Sequence, residues 1–204
     1  GRYMEFIGRP IQFIGPRKPQ TIIKEVLTEG EIARILAETK NSREKTMVAI
    51  LTYTGLRNKE LCNLKVNDVD LDANAIRVLG GKFRKDRRVY ISRECSKIII
   101  EYLAEYKRED KDWLITTLRE GKQYNGWALR KAVKVVAKRA KIRKRVYPHL
   151  FRHSIATHLL GKGMNVVSIK ELLGHERLET TLIYAQTTPK RVESEYHFYV
   201  PNYI

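Results

Sequence analysis

One change of texture along the chain constrains its fold more than any other feature. From about residue 28 to 63 apolar residues recur at helical spacing. Between about 69 and 91 they alternate, and from about 93 the helical spacing returns. In the middle stretch Ile76 and Val78 alternate with Ala75, Arg77 and Leu79, and Val89 and Ile91 alternate with Arg88 and Tyr90. The cationic run Gly80-Gly81-Lys82-Phe83-Arg84-Lys85-Asp86-Arg87 lies between them and reads as a hairpin. Val69 to Leu71 adds a third short strand. The expectation is an α+β fold, mainly helical, with a small three-stranded antiparallel sheet.

Local signals place the helices. Thr28-Glu29-Gly30-Glu31 is a capping box, with Ile32, Ile35 and Leu36 behind it. A second helix is expected over about 44–53, carrying Met47, Val48, Ile50 and Leu51 and stopping at Gly55. A short helix follows over about 58–63. Ile98, Ile99, Tyr102 and Leu103 share a face of the next. Over 126–141, Leu129, Ala132, Val133, Val136 and Ala140 form one side, and Lys131, Lys134, Lys138 and Lys141 the other. Pro148 opens a helix through about Leu160, closed by Gly161-Lys162-Gly163. Val166 to Leu173 is a short helix stopped by Gly174, and a last helical segment begins near Glu179.

Composition narrows the class. With 204 residues, 43% hydrophobic and 31% charged, the chain is long enough for one self-sufficient core and is neither disordered nor membrane-embedded. No apolar run approaches the roughly 20 residues needed to span a bilayer. Cys62 and Cys95, the 2 cysteines, cannot make a disulfide framework or a four-cysteine zinc site. An intracellular, reducing compartment is the expectation. The net charge of +17 points to a polyanionic partner. From Arg130 to His153 the basic residues Arg130, Lys131, Lys134, Lys138, Arg139, Lys141, Arg143, Lys144, Arg145 and Arg152 occur without one acid. A solvated helix face usually mixes signs, so this run is better explained by phosphate contacts. Lys85 and Arg87 in the hairpin join the expected phosphate contacts.

Four places carry polar groups where a chain turns. Arg57 follows the Gly55 helix stop. His149 and Arg152, three apart, project from one face of a helix start that also favours an anion. His175 directly follows Gly174, and Tyr184 lies nine residues on, in Leu182-Ile183-Tyr184-Ala185. Each has a bland reading alone: a helix-end cation, a polar helix start, a capping histidine, one of 11 tyrosines. A zinc site from His149, His153 and His158 lacks the spacing and a nearby carboxylate. Together with a hairpin lysine, the groups form one constellation for a phosphodiester. Arginines neutralise the nonbridging oxygens, the phenol attacks phosphorus, a lysine protonates the leaving 5′-oxygen, and histidines donate hydrogen bonds or move protons. No acidic cluster is present for two-metal catalysis, so a reaction without metal or other cofactor is preferred.

These segments resemble the catalytic domain of the tyrosine recombinase (phage integrase, Xer-type) family, nearest to archaeal or archaeal-viral enzymes. The resemblance rests on Thr54-Gly55-Leu56-Arg57-Asn58-Lys59-Glu60-Leu61, Gly81-Lys82 through Arg88-Val89, Pro148-His149-Leu150-Phe151-Arg152-His153-Ser154, Leu172-Leu173-Gly174-His175 and Thr181-Leu182-Ile183-Tyr184, in order over about residues 28–196. It implies that Arg57, Lys82, His149, Arg152 and His175 are active-site residues, that Tyr184 is the nucleophile, and that Glu60 supports the first arginine from behind. The family hairpin commonly reads Gly-Lys-Gly-x-Lys. Here Phe83 and Arg84 follow Lys82, which leaves Lys85 as a rival for the leaving-group acid.

The division expected from this is a basic linker or arm over 1–27, the catalytic domain over 28–188, and an apolar tail over 189–204 that docks on a neighbouring protomer or on its own domain. The family's N-terminal clamp domain has no counterpart here, so a catalytic fragment or a naturally shortened integrase is expected. The resemblance further implies a 3′-phosphotyrosyl intermediate, a Holliday junction, and a homotetramer on paired duplex sites that is monomeric without DNA. Two rivals are a type IB topoisomerase-like relaxation activity and a noncatalytic DNA-binding module.

Overall fold

The computed structural model describes residues 25–80, 86–107, 109, 112–117 and 121–174. The expected roles of Lys82, Lys85, His175 and Tyr184, the arm before residue 25, the helix near Glu179 and the tail over 189–204 lie outside the described residues. Within them the α+β expectation holds, with helices α1 Glu29–Ala37, α2 Ser42–Thr54, α3 Asn58–Cys62, α4 Arg93–Tyr106, α5 Gly126–Arg139, α6 Pro148–Gly161 and α7 Val166–Leu173. Strands β1 Val69–Asp70, β2 Ala75–Val78 and β3 Arg87–Tyr90 form an antiparallel sheet in the order β1-β2-β3.

Helices α1, α2, α4, α5 and α7 start where a side chain accepts from their free N–H groups. Thr28 Oγ1 accepts from Glu31 N at 3.1 Å while Glu31 answers Thr28 N at 2.8 Å, the reciprocal box expected there. Asn41 accepts from Glu44 N at 2.9 Å, which is why α2 begins at Ser42, ahead of the expected start. Asn125 accepts from Trp127 N and Ala128 N, and Asn165 from Val167 N. The expected helix over 126–141 stops at Arg139. Lys141 takes φ +53°, and Lys141 N and Ile142 N bond back to Lys138 O and Ala137 O. That is the geometry of a Schellman stop, with lysine where glycine is usual, so no glycine marked the end. Lys141 therefore lies beyond the helix face, not on it.

α2 is the central element, packed against α1, α4, α5 and α6. Thr46 to Leu51 and Thr54 are all buried, so the burial extends round the helix beyond its expected apolar side. The main core gathers α1 to α5, the sheet, and the start of α6; a smaller one of Ala156, Leu160, Ile169 and Leu173 joins α6 to α7. In the sheet, Val69 pairs with Ile76 and Ile76 with Val89. Ile76, Val78 and Val89 are buried, while Arg77, Arg88 and Tyr90 are exposed. Arg77 and Arg88 face each other across β2 and β3, a like-charge pair offset by Asp68 and Asp70, each of which takes one of them. Among the described residues, no helix is long and apolar enough to cross a membrane.

Candidate active site

The site begins where α2 stops. Gly55 sits at φ +60°, and a Cβ there would lie 2.8 Å from Ile155 Cγ2 and 2.9 Å from Leu173 Cδ2. Both the left-handed backbone and the close approach of α6 and α7 call for glycine. The turn buries Leu56 and delivers Arg57 as the N-cap of α3. Glu60, in the first turn of α3, accepts from Arg57 N at 2.8 Å and from Arg57 Nη1 at 2.7 Å. Arg57 Nη2 donates to Gly174 O at 2.6 Å. The support from Glu60 to the first arginine is thus direct.

α6 brings the second arginine. Pro148 occupies its first position, suited to the free end of a helix. One turn on, Arg152 is only 3% exposed. Its Nη1 donates to Gly55 O at 3.0 Å and its Nη2 to Leu173 O at 2.6 Å. Arg57 and Arg152 therefore meet at consecutive carbonyls of the α7 C-terminus. His149, on the first turn of α6, stays exposed at the edge of this cluster. Partial desolvation, then the charges of Arg152 and Arg57, pull its pKa below the usual imidazole value, against the opposing pull of Glu60. The imidazole is neutral near pH 7 in the free protein. Burial alone would push the Glu60 carboxyl up. The hydrogen bonds from Arg87 and from Arg57 N–H outweigh it and hold the pKa at about 2.

Arg57, Glu60, His149 and Arg152 are thus brought together, and Gly174 ends the described chain directly before His175. The expected DNA contacts divide. Lys131, Lys134, Lys138, Lys141, Arg143 and Arg145 are exposed, and Lys131 Nζ lies 5.1 Å from the centre of the exposed Trp127 ring. Arg87, Arg139 and Lys144 instead face acids of the protein itself. Arg87 pairs with Glu60, Arg139 with Glu44, and Lys144 with Glu31 at 2.6 Å. Sequence reasoning also missed Asn58, whose Nδ2 donates to Gly126 O at 2.9 Å and seats the start of α5 beside the Arg57 turn. Its position next to Arg57 was the only available signal.

Residues 25–191 match the family model described as the phage integrase family. The chain belongs to that family. It is 37% identical over 182 residues to the tyrosine recombinase XerA of Pyrococcus horikoshii, covering 87% of this chain and 61% of that protein. It is 36% identical over 190 residues to a tyrosine recombinase of Thermosipho africanus, covering 89% and 65%. The chain therefore spans just under two thirds of the length of these curated relatives. The crystal structure of XerA recombinase superposes with a TM-score of 0.75 at 32% identity, over 93% of this chain and 68% of that one. A XerH site-specific recombinase bound to its difH substrate gives 0.72 at 25% identity, over 84% and 53%. The mainly helical domain with its small antiparallel sheet is the architecture these family members share with it.

Proposed function

We propose that this chain is the catalytic part of a site-specific DNA recombinase that breaks and rejoins duplex DNA without a metal. What carries the reading is the meeting of Arg57, Arg152 and a neutral His149 beside the start of α6. Two guanidinium groups fixed on the last carbonyls of α7, with His149 near them on the first turn of α6, suit a phosphodiester that gains charge as it becomes pentacoordinate.

In the proposed reaction the Tyr184 oxygen attacks the scissile phosphorus and loses its proton. The bond from phosphorus to the 5′-oxygen breaks, and Lys82 protonates that oxygen. The 3′-phosphate stays on Tyr184 as an ester that conserves the bond energy. The freed 5′-hydroxyl of a partner strand then attacks it, restores the tyrosine, and leaves a Holliday junction. Arg57 and Arg152 hold the nonbridging oxygens, while His149 and His175 donate hydrogen bonds or move protons. The exposed cations of α5 and the loop after it hold the duplex through its phosphates. The partner is double-stranded DNA, with four protomers on two paired sites and monomers in its absence. The XerH relative is a site-specific recombinase bound to its own substrate, difH. Action on DNA in the cytoplasm of a prokaryotic cell or of a virus-infected host is part of the same proposal.

The test is a pool of nicked duplexes with a randomised centre, in which cleavage releases a short strand and traps the protein. An SDS-stable adduct should form in EDTA, enrich one sequence, and disappear in Tyr184→Phe with DNA binding kept. Adding an intact second duplex should then give strand exchange. An adduct that needs a divalent metal would contradict the reading. Relaxation of supercoiled DNA without sequence enrichment or junctions would favour the topoisomerase-like rival, and binding without any adduct the noncatalytic one.

A further inference from the structure

The last carbonyls of a helix have no donor within it. At the C-terminus of α7, three consecutive carbonyls each receive a different arginine. Leu172 O accepts from Arg87 Nε at 3.1 Å, Leu173 O from Arg152 Nη2 at 2.6 Å, and Gly174 O from Arg57 Nη2 at 2.6 Å. Two of these are the proposed phosphate ligands. The third, Arg87, opens β3 directly after the segment bearing Lys82 and Lys85, and its charge there pointed to DNA.

Its surroundings point elsewhere. The Arg87 side chain is 13% exposed. Its Nη1 donates to Glu60 Oε1 at 3.0 Å and its Nη2 to Glu60 Oε2 at 2.9 Å. Arg57 takes the same two oxygens, Oε1 by its Nη1 and Oε2 by its backbone N–H. The four acceptor sites of one carboxylate are thereby filled. Gly174 closes over this arrangement at φ +65°, where a Cβ would lie 3.0 Å from Arg87 Cδ and Nε.

We propose that Arg87 is a positioning residue that clamps Glu60 to the C-terminus of α7, so that Arg57 meets the scissile phosphate in one orientation. The proposal rests on the recombinase reading above. Arg57 alone on Glu60 could swing with the carboxylate. The two-point grip of Arg87 fixes that carboxylate against a carbonyl two residues before the one Arg57 uses. Arg87 acts through Glu60 and Arg57, not on DNA. The charged and titratable groups facing Glu60 are Arg57 from α3, Arg87 from β3 and His149 from α6. Loss of Arg87 removes the strongest influence that keeps Glu60 ionised, so the carboxyl then titrates at higher pH.

The test compares Arg87→Met with the wild-type full chain on the duplex enriched from the randomised pool. Single-turnover cleavage at saturating DNA should fall about 10²-fold, as for a misplaced catalytic group. The affinity and its salt slope should hold, and cleavage should fall further as pH drops towards 5, where the wild type shows no such loss from Glu60. An unchanged cleavage rate, with or without a salt slope lowered by about 1, would overturn the clamp. Should Arg87→Met not fold, Arg87→Lys decides: it keeps the charge but not the two-point grip. Slower cleavage with an unchanged salt slope supports the proposal, and wild-type cleavage overturns it. Absence of any wild-type adduct is a different result and removes the recombinase reading itself.

Discussion

The arginines at the end of α7 and the cations of α5 with its following loop are both dense in positive charge, yet they are built in opposite ways. Arg152, Arg87 and Arg57 are 3%, 13% and 20% exposed and hold named carbonyl or carboxylate oxygens. Lys134, Lys138, Lys141, Arg143 and Arg145 stand exposed, with no ion pair to another described residue. A fixed, desolvated guanidinium acts strongly on charge that develops at one point. A solvated lysine follows a phosphate wherever it lies, and its effect fades with salt. Formal charge alone hides this difference between a site for chemistry and a surface for binding.

The largest effects are expected at the arginines. Arg57→Ala and Arg152→Ala should each slow single-turnover cleavage about 10²- to 10³-fold, with binding nearly kept. Arg152→Ala also strands the carbonyls of Gly55 and Leu173 in the interior, at about 1–3 kcal/mol each. Thermal melts should therefore show Arg152→Ala less stable than Arg57→Ala. Normal cleavage in either variant would put the chemistry elsewhere.

The next effect concerns Lys82 and Lys85. A bridging 5′-phosphorothiolate has a thiolate leaving group that needs little protonation. Lys82→Ala should be slow on ordinary DNA and largely rescued on the sulfur substrate. Lys85→Ala should mainly weaken binding. Rescue of Lys85→Ala alone would exchange the two roles.

Smaller effects test the binding surface. Lys134→Ala and Lys138→Ala should each lower the slope of log affinity against log salt by about 1 and leave cleavage at saturation unchanged. The smallest expected effect is the titration of His149 followed by NMR. A pKa lowered in the folded state means that the neutral ring adds stability above the unfolded imidazole value of about 6.5, which is lost as pH falls through the lowered value. Arg57→Ala should move the titration back up by removing a cation. A comparable rise in Lys134→Ala would contradict the separation of the two regions.

Much of this was legible along the chain because its signals are local. The Thr28 box, the Gly55 and Gly174 stops, and the pair His149 and Arg152 at one helix start each lie within a few residues. The partnerships that divide the cations do not. Arg87 meets Glu60 across 27 positions, Arg139 meets Glu44 across 95 and Lys144 meets Glu31 across 113. Charge counted along the sequence put all three with the DNA contacts. Only the packing of α5 and β3 against α1, α2 and α3 turns them inward. The end of α5 was hidden for a related reason, since Lys141 adopts a conformation that sequence usually signals with glycine.

The atom that becomes joined to DNA defines this mechanism. Adduct from the wild-type chain and the enriched duplex, digested with protease and nuclease, should give by mass spectrometry one modified peptide. That peptide should carry a nucleotide through its 3′-phosphate on Tyr184. The same linkage on any other residue, or a 5′-phosphate on the protein, would contradict the mechanism assigned to Arg57, His149 and Arg152.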